Sequence, residues 1–333
     1  MALNKSNQAK LIKLSLLALG MILLFFLINR AGGFFEIVAI ITKAKFNFIV
    51  YGFLVYLLLI LTRAYKWFLL IRAGGVKIKY QSFLPFYLAN CLISNISPFK
   101  SGEAATPLIF KKYLKIPVGQ GFSVVILDRF FELVFFTLIF ILAIIYIMKS
   151  AVAGELVLSI FKWALVGFVL LTAFLIGIIS SKKFSLEILA IFKRFEKYPI
   201  INKILEFIKK ELEIFYESLK LYKNKGIYKF MIPLTLISWF FEFFSFYLIF
   251  SSIMPASFLR IASAQILAIA ATLVTFIPGG IGIGELGVVY ILNLFYYPAA
   301  LTTAAVLLAR LILTGTLLAS GIAGSFLLKE KAE

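Results

Sequence analysis

The chain lacks histidine altogether and contains a single cysteine, Cys91, among its 333 residues. The absence of histidine excludes histidine-based acid–base catalysis, histidine proton relays and the common zinc sites. One cysteine cannot form an intrachain disulfide or a multi-cysteine metal site. Asp128 is the only aspartate. We therefore expect no bound metal and no cofactor, and we assign no catalytic residue.

Apolar sequence is abundant instead, since 62% of the residues are hydrophobic and the mean hydropathy is +1.04. Several apolar runs approach the roughly 20 residues that span a bilayer as a helix, which predicts an all-α polytopic membrane protein. The first run follows three lysines and resembles a signal peptide, but it has no small-x-small cleavage site, so we interpret it as a retained helix. The predicted spans are 14–28, 47–71, 118–148, 156–179, 230–253 and 299–327.

Two further apolar segments, 83–114 and 259–297, are interrupted by helix-breaking residues. The first break contains Pro98, Lys100 and Gly102, and the second contains a proline and four glycines. Backbone that leaves helical geometry at membrane depth has polar groups that lipid cannot satisfy, so such a break must be buried in protein or line a wet cavity. We predict that both segments are re-entrant hairpins. The residues of the second break are Pro278, Gly279, Gly280, Gly282 and Gly284, followed by Glu285.

The distribution of lysine and arginine predicts the orientation in a cell membrane. With the N-terminus inside, the predicted inner segments carry 23 basic residues and the outer segments carry five. Because basic residues accumulate in cytoplasmic loops, both termini are expected to be cytoplasmic. The first hairpin then enters from the inside and the second from the outside. The net charge of +19 is interpreted as loops that face anionic lipid at the inner surface, with no nucleic-acid partner.

The order of the segments predicts an inverted repeat within one membrane domain, 1–333. Two spans, a hairpin and a third span occur twice, in halves 1–150 and 151–333. Three spans per half is an odd number, so the second half is inverted. Interrupted segments at corresponding places in inverted repeats are typical of a transporter binding site.

Three charged positions recur in register between the two halves, which tests the repeat independently. The first position lies 35 residues before the proline of the break in the first half and 36 residues before it in the second half. The third position lies 31 residues after that proline in the first half and 32 residues after it in the second half. The second is a glutamate that closes each break directly after a glycine. The corresponding residues are Arg63 with Glu242, Glu103 with Glu285, and Arg129 with Arg310.

Residues 182–229 form the one long polar stretch. Apolar residues at helical spacing between Ile201 and Tyr222 alternate with lysines and glutamates, which predicts an amphipathic helix on the inner membrane surface, separated from a shorter helix by Tyr198-Pro199. Two interpretations stay open for this cytoplasmic segment. It is either a solvated connector or a collector of anionic lipid.

Eight charged side chains inside the predicted membrane segments are candidates for the functional site. Each costs about 2.5–3.5 kcal/mol at a helix centre, so the set must be paired, hydrated or near the helix ends. One interpretation is a set of ion pairs that fix helix packing, such as Arg129 with Glu132 at i, i+3. The other is a polar pathway at the midplane, which we prefer because the charges accompany the broken segments. The eight are Arg63, Glu103, Asp128, Arg129, Glu132, Glu242, Glu285 and Arg310.

The glycines of the second break also allow two interpretations. They could permit close helix packing. Alternatively, free N–H groups at the start of the following helix could bind an anion, with Glu285 capping that start. The series is not a nucleotide-binding loop, because no lysine-serine/threonine pair follows it.

Three motifs together resemble the lysylphosphatidylglycerol synthase transmembrane-region family, over essentially the whole chain. In that family, the membrane domain of the bacterial multiple peptide resistance factor flips an aminoacylated phospholipid between leaflets, and related domains follow archaeal glycosyltransferases that act on polyprenyl lipids. The sequence ends at Glu333 without a soluble aminoacyl-transferase domain, so we expect that this polypeptide does not synthesise lipid. The motifs are Asn95-Ile96-Ser97-Pro98 through Gly102-Glu103, Leu127-Asp128-Arg129, and Pro278-Gly279-Gly280-Ile281-Gly282 with Glu285.

The resemblance and the charges together predict a flippase for a phospholipid or a polyprenyl-phosphate-linked headgroup. Arg129 and Arg310 would bind the lipid phosphate. The glutamates at the breaks would hold the site together when no lipid is bound, or would contact a cationic headgroup. The alternatives are a membrane-embedded transferase using Asp128 and Glu132, and an ion-coupled transporter of a small solute. Oligomeric state is left open. The full candidate set is the eight charged residues with Lys100, Asn95, Pro98, Gly102, Pro278, Gly279, Gly280 and Gly282.

Overall fold

The computed structural model describes residues 5–96, 102–150, 154–191, 199–275 and 277–330. Within these ranges the chain forms thirteen α-helices, a short 3-10 turn at Pro278–Gly280, and no β-strand. The helices are α1 (Lys5–Arg30), α2 (Phe34–Ile41), α3 (Phe46–Ala73), α4 (Tyr80–Ile96), α5 (Gly102–Leu114), α6 (Val118–Ser150), α7 (Glu155–Ser180), α8 (Lys182–Ile191), α9 (Pro199–Asn224), α10 (Tyr228–Ile253), α11 (Phe258–Thr275), α12 (Ile283–Leu294) and α13 (Ala299–Glu330).

Five helices, α3, α6, α7, α10 and α13, are long and apolar enough to cross a membrane. The helices α1 and α2 bend by 76° relative to each other and together pass the same test as a sixth span. Each of the six predicted spans falls on one of these elements. The prediction of an all-α polytopic membrane protein is therefore confirmed.

Each interrupted segment folds as two short helices that contact each other, α4 with α5 and α11 with α12. The break between α4 and α5, at 97–101, lies outside the described residues. The helices after the breaks, α5 and α12, contain 13 and 12 residues. At 1.5 Å per residue they are about 18–20 Å long, shorter than a hydrocarbon core of about 30 Å. The short lengths of α5 and α12 favour the predicted re-entrant path, which stays a prediction.

Packing between the halves follows the pairing that the predicted repeat requires. The corresponding helices α3 and α10 pack along each other, α4 packs on α13, and α11 packs on α6. In the predicted repeat, α4 corresponds to α11 and α13 corresponds to α6. The contact of α4 with α13 is then the counterpart of the contact of α11 with α6. Small residues permit the α4–α13 approach, since a Cβ atom at Gly321 or Gly324 would lie 2.6 Å from the Cβ of Leu92 or Leu88. This arrangement supports the inverted repeat, which stays a prediction.

The polar segment forms α8 and α9, and α9 is anchored to the beginning of α6. The backbone N–H of Gly119 donates to Oε2 of Glu211 at 2.6 Å, and the hydroxyls of Ser123 and Tyr222 are 2.9 Å apart. Burial raises the pKa of Tyr222 to about 12, so its hydroxyl stays protonated at neutral pH. Part of the apolar face of α9 therefore packs on protein, and the rest is available for the predicted inner membrane surface.

The predicted topology can be tested at Lys112 and Asn293, exposed residues near the ends of α5 and α12. Single cysteines at these positions, in a Cys91→Ala background, should react with a membrane-impermeant maleimide from opposite sides, because the hairpins enter from opposite leaflets. Cysteines at Lys43 and Lys220 mark the predicted outer and inner sides. Labelling of positions 112 and 293 from the same side would contradict the inverted repeat.

Candidate functional site

At the second break, one arginine from α13 joins the residues on both sides of the interruption. Nε of Arg310 lies 2.6 Å from Oε1 of Glu285, in the first turn of α12. Nη2 of Arg310 donates to the carbonyl oxygen of Gly280 at 3.2 Å. The other carboxylate oxygen of Glu285 accepts the backbone N–H of Gly282 at 2.8 Å. Glu285 therefore caps the start of α12, as its position predicts. Its own carboxylate occupies the place at this helix start where an anion could bind.

Two glycines make room for the guanidinium of Arg310. A Cβ atom at Gly284 would lie 2.8 Å from Nη2 of Arg310. At Gly280, whose φ is +63°, a Cβ atom would lie 2.5 Å from Cγ2 of Thr272 and 3.5 Å from Nη2 of Arg310. Larger residues at either position would displace the arginine or the neighbouring α11.

The remaining glycines of this break have different surroundings. Gly282 has a φ of +82°, and a Cβ atom there would lie 2.3 Å from the carbonyl oxygen of Gly20 in α1. Gly282 therefore serves close helix packing as well as the cap. Gly279 is exposed with a φ of +64°, so it supports the turn without a tight contact. The 3-10 turn begins at Pro278, whose side chain lies outside the described residues.

The first break also pairs an arginine of the following long helix with the glutamate after the interruption. Nε of Arg129, on α6, lies 3.3 Å from Oε2 of Glu103 in the first turn of α5. Nη2 of Arg129 lies 3.1 Å from Oδ2 of Asp128. At both breaks, Nε therefore faces the glutamate that follows the interruption, and Nη2 faces a second oxygen. Gly102 is buried at the start of α5, while Pro98, Lys100 and the side chain of Asn95 lie outside the described residues.

Both arginines remain accessible although their glutamates are largely covered. The side chains of Arg129 and Arg310 are 40% and 36% exposed, whereas those of Glu103 and Glu285 are 17% and 4% exposed. In the described part of the chain, the polar contacts of both arginines use Nε and Nη2.

Lys66 is the site residue that the sequence reasoning missed. Its side chain, on α3, is completely buried, and its Nζ lies 2.9 Å from Oδ1 of Asp128 and also contacts Glu132. The pairing of Glu132 with Arg129 suggested at i, i+3 is therefore not the contact found. A signal was present in the sequence, since Lys66 is a lysine inside a predicted span, three residues after Arg63. Its ammonium group also occupies the space between the two carboxylates of the transferase alternative.

A further ion pair joins the two halves of the predicted repeat. Nη2 of Arg63, on α3, lies 3.2 Å from Oε2 of Glu242, on α10. Residues at the corresponding positions 63 and 242 therefore contact each other.

All eight candidate charges are paired, as the insertion cost requires. With Lys66 included, the region contains four cations and five acids. The eight sequence candidates include three cations and five acids, so Lys66 brings the set closer to balance. The candidate charges therefore form ion pairs, and a polar pathway at the midplane stays a prediction.

Lys66→Met should lower the free energy of unfolding by about 3–5 kcal/mol, because it leaves two buried carboxylates without their cation. Chemical denaturation in mixed micelles measures this loss. Lys162→Met, at an exposed lysine of α7, is the matched control and should have little effect. Adding Asp128→Asn and Glu132→Gln should restore part of the stability. Wild-type stability of Lys66→Met alone would contradict the pairing.

Comparison with known proteins identifies the family of the chain. The sequence model of the family described as "Lysylphosphatidylglycerol synthase TM region" matches residues 11–321. A UPF0104 membrane protein of Methanocaldococcus jannaschii is 23% identical over 290 residues, which cover 84% of each chain. A UPF0104 membrane protein of Methanothermobacter thermautotrophicus is 26% identical over 273 residues, 78% of each chain. One of Pyrococcus horikoshii is 24% identical over 285 residues, 82% of this chain and 84% of the relative. The chain therefore belongs to the family of the lysylphosphatidylglycerol synthase transmembrane region.

Proposed function

We propose that this membrane protein moves the phosphate-bearing headgroup of a lipid, either a phospholipid or a polyprenyl-phosphate-linked lipid, between the two leaflets. The observation that carries the proposal is the matched pair of accessible arginines, Arg129 and Arg310, each held at a helix break by a glutamate. The family supplies the lipid context. The acyl chains would stay in the surrounding lipid while the headgroup crosses through the polar region.

Arginine suits this role because it stays charged in an apolar environment. Its planar guanidinium can bind two phosphate oxygens with parallel hydrogen bonds, which the point charge of lysine cannot imitate. At each break, the glutamate now occupies the Nε side of the guanidinium. A lipid phosphate would approach through Nη1 and compete with that carboxylate. The released glutamate could then meet a cationic part of the headgroup.

The central pair of Arg63 and Glu242 suits an intermediate position on the path. A headgroup released from one break site needs polar contacts until it reaches the other, because a charge in hydrocarbon costs several kcal/mol. The two side chains are 29% and 18% exposed, so part of each can contact a ligand. With both termini cytoplasmic and the repeat inverted, each break site would serve one leaflet.

Arg129→Lys and Arg310→Lys should each reduce lipid transfer in reconstituted vesicles by at least about 10-fold, since the loss of one charged hydrogen bond costs about 1.5–3 kcal/mol. Expression and thermal stability should change little. Arg30→Lys, at the end of α1 where the arginine lies over the ring of Phe26, is the matched control. Normal transfer by both variants, or misfolding of both, would make the arginines structural.

Lipid transfer and covalent transfer can be distinguished by the mass of the lipids. Purified protein incubated with lipid phosphates and activated donors should leave that mass unchanged, because Asp128 and Glu132 are engaged by Lys66. Mass spectrometry of the extracted lipids checks this result. A new lipid species that forms with turnover and disappears in Asp128→Asn would favour the transferase.

A further inference from the structure

A basic cavity lies apart from the ion-pair network, where α3 ends and α4 begins. It has a volume of about 550 Å³ and is lined by the α3–α4 connection and by one residue after α9. This volume falls within the range of about 300–1,000 Å³ that small-molecule sites occupy. We call it the basic cavity. Its lining residues are Arg72, Gly75, Val76, Lys77, Ile78, Lys79 and Lys225.

Among the described residues, the charge of the basic cavity has no acidic partner. Four of its lining residues are cations, and none of the described residues that line it is acidic. No ion pair of the described chain involves Arg72, Lys77, Lys79 or Lys225. Like charges around one space repel each other. A bound anion would remove this repulsion, and one with two or more charges would do so most effectively.

The backbone adds further donors on the same wall. After Gly75, whose φ is +93°, the chain runs without helix through Lys79. Within the described chain, no hydrogen bond uses the backbone N–H groups of Lys77, Ile78 or Lys79. Oxygen-rich anions such as phosphate are bound by N–H groups together with lysine and arginine side chains.

Aromatic side chains beneath the basic cavity indicate the level of the lipid headgroups. Arg72 lies over the ring of Phe68, with its guanidinium carbon 5.6 Å from the ring centre. The ring of Tyr80 packs edge-on against Phe68 at 5.3 Å and against Tyr65 at 5.9 Å. Tyrosines are enriched at the membrane–water interface. The cavity opens at the end of the spanning helix α3, on the side that also carries the end of α9.

We propose that the basic cavity binds a phosphate group with two or more negative charges, at the predicted cytoplasmic surface. The group belongs to a lipid headgroup of the inner leaflet or to a soluble phosphate compound, and both present the same chemistry to the four cations. The site is separate from Arg129 and Arg310, and it does not depend on the proposed lipid transfer. It adds a defined binding place to the general attraction of anionic lipid to basic loops.

Binding to the full-length protein in nanodiscs tests the proposal. Phosphatidic acid in the nanodisc is the lipid probe, phosphatidylglycerol is the singly charged comparison, and inorganic pyrophosphate is the soluble probe. The triple variant Lys77→Ala/Lys79→Ala/Lys225→Ala should bind the preferred probe at least about 10-fold more weakly. The control variant Lys111→Ala/Lys112→Ala/Lys115→Ala removes three charges from the same predicted side and should bind normally.

The two probes distinguish the source of the phosphate. Tight binding of phosphatidic acid that pyrophosphate does not displace assigns the cavity to a lipid, and tight binding of pyrophosphate assigns it to a soluble compound. Equal binding by the triple variant and the wild type would overturn the proposal. An equal loss in the control variant would also overturn it, because the effect would then follow total charge alone.

Discussion

The structure depends on one electrostatic constraint, which is that an ionised group inside an apolar helix bundle must have an oppositely charged partner. In the part of the chain that the structure describes, nine such groups take part in these contacts, and every one of the nine is paired. Unpaired, they would together cost more than the 5–15 kcal/mol that typically holds a domain folded. The pairs also connect helices that are distant in sequence, such as α3 with α10 and α3 with α6. Charge pairing therefore fixes the helix packing as well as the polar region.

The breaks in the two interrupted segments contribute to the same pairing. Each places a glutamate in the first turn of a new helix, beside an arginine of the long helix that follows. At the second break the glycines leave space for Arg310 and allow the turns with positive φ at Gly280 and Gly282. Because the arginines remain partly accessible, the pairs can stabilise the fold and still present donors to a ligand.

The two break sites share their arginine–glutamate pair but are supported differently. In the first half, Asp128 also contacts the buried Lys66, which in turn contacts Glu132. The residues at the matching distances from Arg310 are Ala309 and Leu313, so the second half has no equivalent cluster there. Its arginine is held instead by the carbonyl of Gly280 and the capped start of α12. This asymmetry makes the two sites electrostatically distinct, although their geometry at the arginine is alike.

The sequence by itself determined the helical class, the six spans and the positions of both breaks, because long apolar runs and helix-breaking residues act locally. It also determined that the charges inside the spans must be paired, hydrated or near the helix ends, because an unpaired charge at a helix centre is costly. Only the tertiary structure decided which charges pair, because Lys66 and Glu132 are 66 residues apart and no spacing rule connects them. The same holds for Arg63 with Glu242, and for Gly282 against Gly20. These contacts depend on how α1, α3, α6 and α10 pack, which is a property of the assembled bundle.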